Sequence, residues 1–327
     1  MEENNIDTGL IRGYLLDGTG AAKRCGWEAM QSWDPAQGLL WLHLDYTDPE
    51  VENWILNKSG LDPLVAEALL TEETRPRTTA IGNGLLIALR GVNLNPGSEP
   101  NDMVSIRLWV DQSRMISTRK RPLFSARDVA DQLEAGKGPI DAAGLLVEFI
   151  DRLIWRMSDT VEEVEDLLDG LEEEVLTSSG QSLRSRLTVI RRQTISLRRY
   201  LAPQRDALGR LITEKIAWLE EGSRLSLRET NDRLIRYIED LDAFREREAI
   251  LQEELLSRMS EQLNTRMYVL SLIAAVFLPL GFLTGLLGIN VGGIPGATHD
   301  SAFYVFIGFL VIVVGIELSL FRWKKWF

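Results

Sequence analysis

Residues 267–290 read MYVLSLIAAVFLPLGFLTGLLGIN. The first 21 of them, Met267 to Leu287, carry no charge. At 1.5 Å per residue a helix of that length covers roughly 30 Å, the thickness of a bilayer's hydrocarbon core. After residues 288–301 a second run, Ala302 to Leu320, reads AFYVFIGFLVIVVGIELSL, with Glu317 its only charge. Buried helices of a large soluble protein are the competing reading. Two such runs, close together in a chain otherwise rich in charge, favour two membrane spans.

The flanks orient them. Arg258 and Arg266 precede the first run, and Arg322, Lys324 and Lys325 follow the second. The connecting stretch GINVGGIPGATHD (288–300) has no Lys or Arg. Positive charge stays on the cytoplasmic side, so both termini are expected in the cytoplasm and the loop outside, in the periplasm. Trp323 and Trp326 sit among the terminal cations, as interfacial aromatics do. The opening residues MEENNIDTGL are polar and acidic with no apolar h-region, so insertion into the inner membrane is expected to be directed by the two C-terminal helices.

Upstream, no helix breaker intervenes between Ser223 and Pro279. The pattern predicts one helix running from a polar stalk into the first span, about 100 Å long. A helix of that length is not stable alone and implies a bundle of identical helices. Along it Ser257, Ser260, Asn264, Met267, Ser271, Ala274, Leu278, Gly281 and Gly285 follow one another at alternating spacings of three and four. That 3.5-residue period keeps one face on a shared axis in a left-handed bundle. Most of these residues are small or polar, while the neighbours are large and apolar. Two readings stand: the stripe lines a wet path, or it lets helices approach closely. The same period reaches Glu253 and Glu246, where rings of carboxylate would concentrate cations; a plain solvated surface is the alternative.

The amino-terminal part reads differently. GLLWLHLDY, GLLIALRGVNL and MVSIRLWV are apolar runs bounded by turn signals, and MVSIRLWV with MISTRK predicts a hairpin. DPEVENWILNKSGLDPLVAEALL has helical spacing, with Asp48-Pro49 as a start. From Ala142 the period becomes helical. A very acidic helix over about 142–176 (VEEVEDLLDGLEEEV) and a basic one over about 181–219 predict an antiparallel hairpin with opposite charges facing. Seven segments result: an α/β cytoplasmic domain (1–141), the acidic/basic hairpin (142–222), the stalk (223–266), the first span (267–287), the outer loop (288–301), the second span (302–320) and a basic tail (321–327).

The formal net charge of −12 argues against nucleic acid, which needs clustered Lys and Arg. One cysteine, Cys25, excludes an intramolecular disulfide and suits a reducing cytosol. With two histidines, His43 and His299, a tetrahedral His/Cys zinc site cannot form in one subunit. His43, in the apolar run WLHLDY, reads as structural. No P-loop is present, so nucleotide is not the energy source, and no nucleophile–base motif suggests an enzyme.

Gly288-Ile289-Asn290 at the end of the first span, within VFLPLGFLTGLLGIN, together with the ending FRWKKWF, resembles the CorA metal-ion transporter family, whose signature there is Gly-Met-Asn. Ile289 in place of Met, the following Val291-Gly292-Gly293-Ile294-Pro295-Gly296, WLHLDY (41–46), ETRPR (73–77) and YLAPQRD (200–206) look like the ZntB-type zinc-transporter branch. The resemblance covers essentially the whole chain. It implies an α+β membrane protein assembled as a funnel-shaped homopentamer: an N-terminal α/β cytoplasmic domain, a long helical stalk and two C-terminal transmembrane helices. It implies that Asn290 binds the hydrated ion, that Gly288 permits a tight turn, that Met267 and Leu278 form apolar constrictions, and that Asn264 forms a polar ring. Gly281 stands where other members often carry Thr. The loop lacks the acidic residue of magnesium-type members and carries His299 and Asp300 instead; imidazole suits zinc, though a solvated loop histidine reads equally well. The expectation is zinc transport, with uptake favoured and a proton link implied by the family, and with no permanently bound cofactor. A CorA-like magnesium, cobalt or nickel channel is the alternative, and a membrane-anchored scaffold or sensor the second.

Overall fold

In the computed structural model every residue of Leu39–Leu44 is buried. Such a strand must be covered on both faces. The description covers residues 9–72, 75–98, 102–177, 181–289 and 299–323. The chain divides into two compact units, Met1–Glu253 and Glu254–Phe327.

The first unit is built on a seven-stranded mixed sheet. Its strands are β1 (Leu10–Leu16), β2 (Ala22–Arg24), β3 (Leu39–Asp45), β4 (Arg77–Ile81), β5 (Gly84–Gly91), β6 (Val104–Val110) and β7 (Arg114–Arg119). Their spatial order is β2-β1-β3-β7-β6-β5-β4. Only β3 and β7 pair in parallel, Leu42 opposite Ile116; the other neighbours are antiparallel, including the expected β6–β7 hairpin. Side chains alternate across a strand. Leu40, Leu42 and Leu44 of β3 therefore join Leu86, Trp109 and Ile116 on one face, packed on Val51, Ile55, Val65 and Leu69. Those four belong to α2 (Pro49–Asn57) and α3 (Pro63–Leu70), which follow α1 (Trp27–Gln31). Asp48 and Asp62 cap α2 and α3, each accepting from a backbone N–H two residues on, with Pro49 and Pro63 at the first helical positions. Gly84 is dictated by packing: a Cβ there would lie 2.3 Å from the Trp109 ring.

Trp41 points to the other face, edge-on to Phe149 with ring centroids 6.2 Å apart. Phe149 lies on α5 (Ala142–Trp155), which follows α4 (Phe124–Glu134). The sequence pattern predicts one helix over 142–176. The structure instead ends α5 at Trp155 and begins α6 (Ser158–Thr177) after a two-residue turn. Arg156 is held at that turn by Asp128 of α4, with contacts of 2.5 and 2.6 Å, and lies over the Phe124 ring. A tertiary anchor has overridden an unbroken helical period.

α7 (Gln181–Thr213) stops short of the predicted 219. The Arg224 guanidinium, from the next helix, donates to the carbonyl of Ile212 in the last turn of α7 and to those of Ile216 and Leu219 in the connection that follows. That helix, α8 (Glu221–Leu287), has 67 residues and passes through Pro279 without interruption. The acidic and basic helices do exchange charge, through Arg186 and Glu174. α8 is a third partner that sequence alone did not supply. Its Asp242 pairs with Arg198 of α7 at 2.5 Å, its Arg247 pairs with Glu172 (2.8 Å) and Asp169 of α6, and its Arg233 pairs with Asp151 of α5 at 2.9 Å. These groups are partly exposed, so each pair contributes only about 0–1 kcal/mol. Their main effect is to select register between helices that also bury Leu171, Leu201 and Leu241.

The second unit comprises the end of α8 from Glu254 and α9 (Ala302–Trp323). Both helices are long and apolar enough to cross a membrane, and neither apolar window is buried within the chain.

Candidate functional site

Leu272, Ala275, Val276, Pro279, Leu280 and Leu283 of α8 are partly covered, while the rest of the helix from Glu261 to Ile289 is exposed. At roughly 100° per residue these six cluster on one side. The periodic set Ser257, Ser260, Asn264, Met267, Ser271, Ala274, Leu278, Gly281 and Gly285 falls roughly on the opposite side, and all nine are exposed in the single chain. A groove lined by Phe277, Gly281 and Thr284 of α8 and by Ile307, Val311 and Val314 of α9 runs along one flank. Of the nine stripe residues Gly281 borders that groove; the other eight do not line it.

The hydroxyls of the two apolar helices fall into two kinds. Thr284 donates back to Leu280 O at 2.9 Å, and Ser319 to Gly315 O at 2.7 Å. Such hydroxyls are satisfied within their own helix and tolerate lipid. Ser271, on the stripe, makes no such bond among the described residues. Its hydroxyl is exposed, open to water or to a neighbouring chain.

Gly288 closes α8, its N–H donating to Thr284 O at 2.9 Å; a Cβ at Gly288 would lie 2.9 Å from that same oxygen. This is the steric reason for glycine at the head of the triplet. Ile289 is exposed. Asn290, the loop stretch 291–298 and the tail 324–327 lie outside the described residues. His299 and Asp300 are exposed, and the His299 carbonyl accepts from Ala302 N at the start of α9. Glu246 and Glu253 are exposed on α8. The carboxylate that sequence reading passed over is their neighbour Glu248. It is 2% exposed, accepts from Thr194 Oγ1 at 2.6 Å, and has its pKa raised by burial. Its sequence signal was present: Glu248 falls in step with Leu241, Phe244, Leu251 and Leu255 on the buried side of α8.

The motifs of the first unit also find places. In WLHLDY, His43 is 1% exposed. Arg119 Nε–H donates to its Nε2 at 3.2 Å, which fixes the proton on Nδ1; that nitrogen then donates to Ser117 Oγ at 2.8 Å. Burial and the nearby charges of Arg119 and Arg12 hold its pKa well below the ordinary value of 6.5. It is a neutral structural histidine, as its apolar neighbours suggest. In YLAPQRD, buried Gln204 accepts from Arg90 N at 2.7 Å, and Tyr200 carries the Arg90 guanidinium 4.5 Å from its ring centre. Among the described residues no three His, Cys, Asp or Glu side chains converge as a metal site.

The family model described as CorA-like Mg2+ transporter protein matches residues 36–325. The chain belongs to the CorA family. Among its relatives, the divalent cation transporter CmaX of Pseudomonas aeruginosa is 41% identical over 99% of this chain and 98% of its own length. The zinc transport protein ZntB of Yersinia enterocolitica is 39% identical over 96% of this chain and 94% of its own. The solved structure of full-length CmaX superposes with a TM-score of 0.86 at 41% identity, covering 99% of this chain and all of that one. A CorA magnesium transporter from Methanocaldococcus jannaschii shares the fold at 16% identity, with a TM-score of 0.82 over 96% of this chain and 98% of that one. This CorA-family chain is accordingly a divalent-cation transporter and not an enzyme, and its two apolar helices suit a membrane protein.

Proposed function

We propose that the protein conducts zinc across the inner membrane through a pore at the centre of a homopentamer, in the direction of uptake and coupled to protons. The observation that carries this reading is the exposed stripe on α8, of which Gly281 alone borders the groove lined with α9. Five such stripes around an axis give a path of small and polar surface. Ser271, Ala274, Gly281 and Gly285 leave room for an ion that keeps its water. Met267 and Leu278 form apolar constrictions, which gate by excluding water. At Gly281, where other members often carry Thr, backbone carbonyls and water supply the polarity. Asn290 collars the outer mouth, its amide oxygen accepting from the ion's hydration shell. His299 and Asp300 attract the cation from outside, and Glu246 and Glu253 draw it onward on the cytoplasmic side.

Zinc is favoured because ZntB relatives are named for it and because the outer loop carries imidazole. The likeness to CmaX, named for divalent cations without further choice, supports a second reading in which magnesium, cobalt and nickel share the path. Proteoliposomes loaded with a zinc-sensitive dye, with and without an imposed proton gradient, test the proposal. Zinc flux that the gradient accelerates and that exceeds magnesium flux is expected. No zinc movement above that of empty vesicles under either condition refutes it. Equal zinc and magnesium flux moves the conclusion to the broader cation channel.

A further inference from the structure

Arg107 sits on β6 with 1% of its surface exposed. Its guanidinium lies 4.6 Å from the centre of the Tyr46 ring, and Nη2 donates to the carbonyl of Glu72. Nε and Nη1 have no hydrogen-bond partner among the described residues. A buried cation in that condition is costly, and an anion close above it lowers the cost. Above it is a cavity of about 560 Å3, walled by Arg90, Lys120, Arg121, Glu72, Ser105 and Tyr46 among others. Three neighbouring strands, β5, β6 and β7, bring the charge together. Arg90 on β5 faces Ser105 on β6 in register, and Lys120 and Arg121 directly follow β7. Lys120 pairs with Glu72, and Arg121 pairs with Asp102. Among the described residues four cationic side chains thus gather here with the carboxylates of Glu72 and Asp102.

We propose that this cavity binds a small phosphorylated molecule, its dianionic phosphoryl group held by Arg121, Lys120 and Arg90 above the buried charge of Arg107. A phosphomonoester carries about −1.5 to −2 charge near pH 7 and three strong acceptor oxygens, which suits a cavity lined by several cationic donors. Guanidinium groups suit phosphate because their donors form a planar fork. The volume lies within the range of about 300–1,000 Å3 usual for small-molecule pockets, leaving room for an organic body beside the phosphoryl group. The cavity lies wholly within the first unit, so the inference concerns a soluble ligand of the transporter and does not depend on which cation is carried.

The test is thermal unfolding of the full-length protein in detergent, titrated at constant ionic strength with inorganic phosphate or AMP, with adenosine and chloride as controls. A saturable rise in midpoint with either phosphate-bearing probe, absent with the controls, is expected. The double variant Lys120→Gln/Arg121→Gln changes side chains at the rim and leaves Arg107 in place. It should weaken binding by about tenfold or more, since each charge-assisted contact is strong. The proposal is overturned if neither probe shifts the midpoint, if adenosine or chloride shifts it equally, or if the double variant binds as the parent does.

Discussion

Ser117 on β7 is completely buried, and three groups converge on its hydroxyl. Trp41 Nε1–H donates to it at 3.1 Å and His43 Nδ1–H at 2.8 Å, while its own proton goes to Leu42 O at 3.0 Å. Ser117→Ala removes the shared acceptor and strands two donors in a dry layer, since Trp41 and His43 are 0% and 1% exposed. A stranded buried donor costs about 1–3 kcal/mol, so the substitution should cost about 2–6 kcal/mol. For a folded unit of this size each kcal/mol lowers the midpoint by about 2–4 °C. Intrinsic tryptophan fluorescence on heating the purified protein reads the change. A double-mutant cycle sharpens it: in a His43→Leu background one donor is already gone, so Ser117→Ala should cost about 1–3 kcal/mol less. The same network sets a pH dependence. The folded-state pKa of His43 is depressed, so the unfolded chain binds the extra proton first, and stability present above pH 6.5 is lost as pH falls below it. The slope from this one group approaches about 1.4 kcal/mol per pH unit, and it should vanish in His43→Leu. A Ser117→Ala protein within about 0.5 kcal/mol of the parent, or strict additivity in the cycle, would refute the network as drawn.

Three further outcomes follow from other parts of the molecule. In a Cys25→Ala background, Ser271→Cys in the membrane-embedded assembly should react with a water-soluble cationic thiol reagent and slow zinc flux, whereas Val311→Cys on α9 should not react; the reverse order of reactivity would contradict the wet stripe. Asn290→Ala should reduce zinc flux at least tenfold while leaving the oligomer unchanged on size-exclusion chromatography with light scattering, and unaltered flux would return the scaffold reading to favour. Glu248→Gln should raise the unfolding midpoint at pH 7 by about 2–4 °C, the shift made by about 1 kcal/mol. Burial raises the Glu248 pKa, so its ionised form costs stability as pH rises through the carboxylate range. Near pH 4 the gain should disappear, and an equal gain at both pH values would mean that charge is not its cause.

The segments legible in sequence were those whose signal is local. An uncharged run of 21 residues, an Asp-Pro helix start and the apolar runs of β3, β5 and β6 each announce themselves within a few residues. β2 and β4 escaped because they are short edge strands, paired on one side only, and β1 because its burial alternates unevenly. The turn at Arg156 escaped because its cause, Asp128, is 28 residues away. The basic cavity was invisible for the same reason: Arg90, Arg107 and Lys120 become neighbours only through the pairing of β5 with β6 and of β6 with β7. His43 was readable as structural from its apolar run, but its tautomer required Arg119 in space.

The conducting reading rests finally on an asymmetry between the two sides of α8, and that asymmetry discriminates between its rivals. Close packing of small residues explains Ala274, Gly281 and Gly285 but gives no reason for Asn264, Ser260 and Ser257 to continue the same line into the stalk, where water is available and no lipid presses helices together. A lipid-facing surface explains exposed Phe282 and Ile273, yet it gives no reason for Ser271 to share one line with Asn264, Ser260 and Ser257. A water-filled axis accounts for both halves at once. In that arrangement the large apolar side chains off the stripe would meet lipid and α9, and the small and polar ones would meet water. The same arrangement explains why Met267 and Leu278 are tolerated on the stripe: an apolar ring in a wet path is a gate, whereas in a lipid-facing or packed stripe it would carry no distinction from its neighbours.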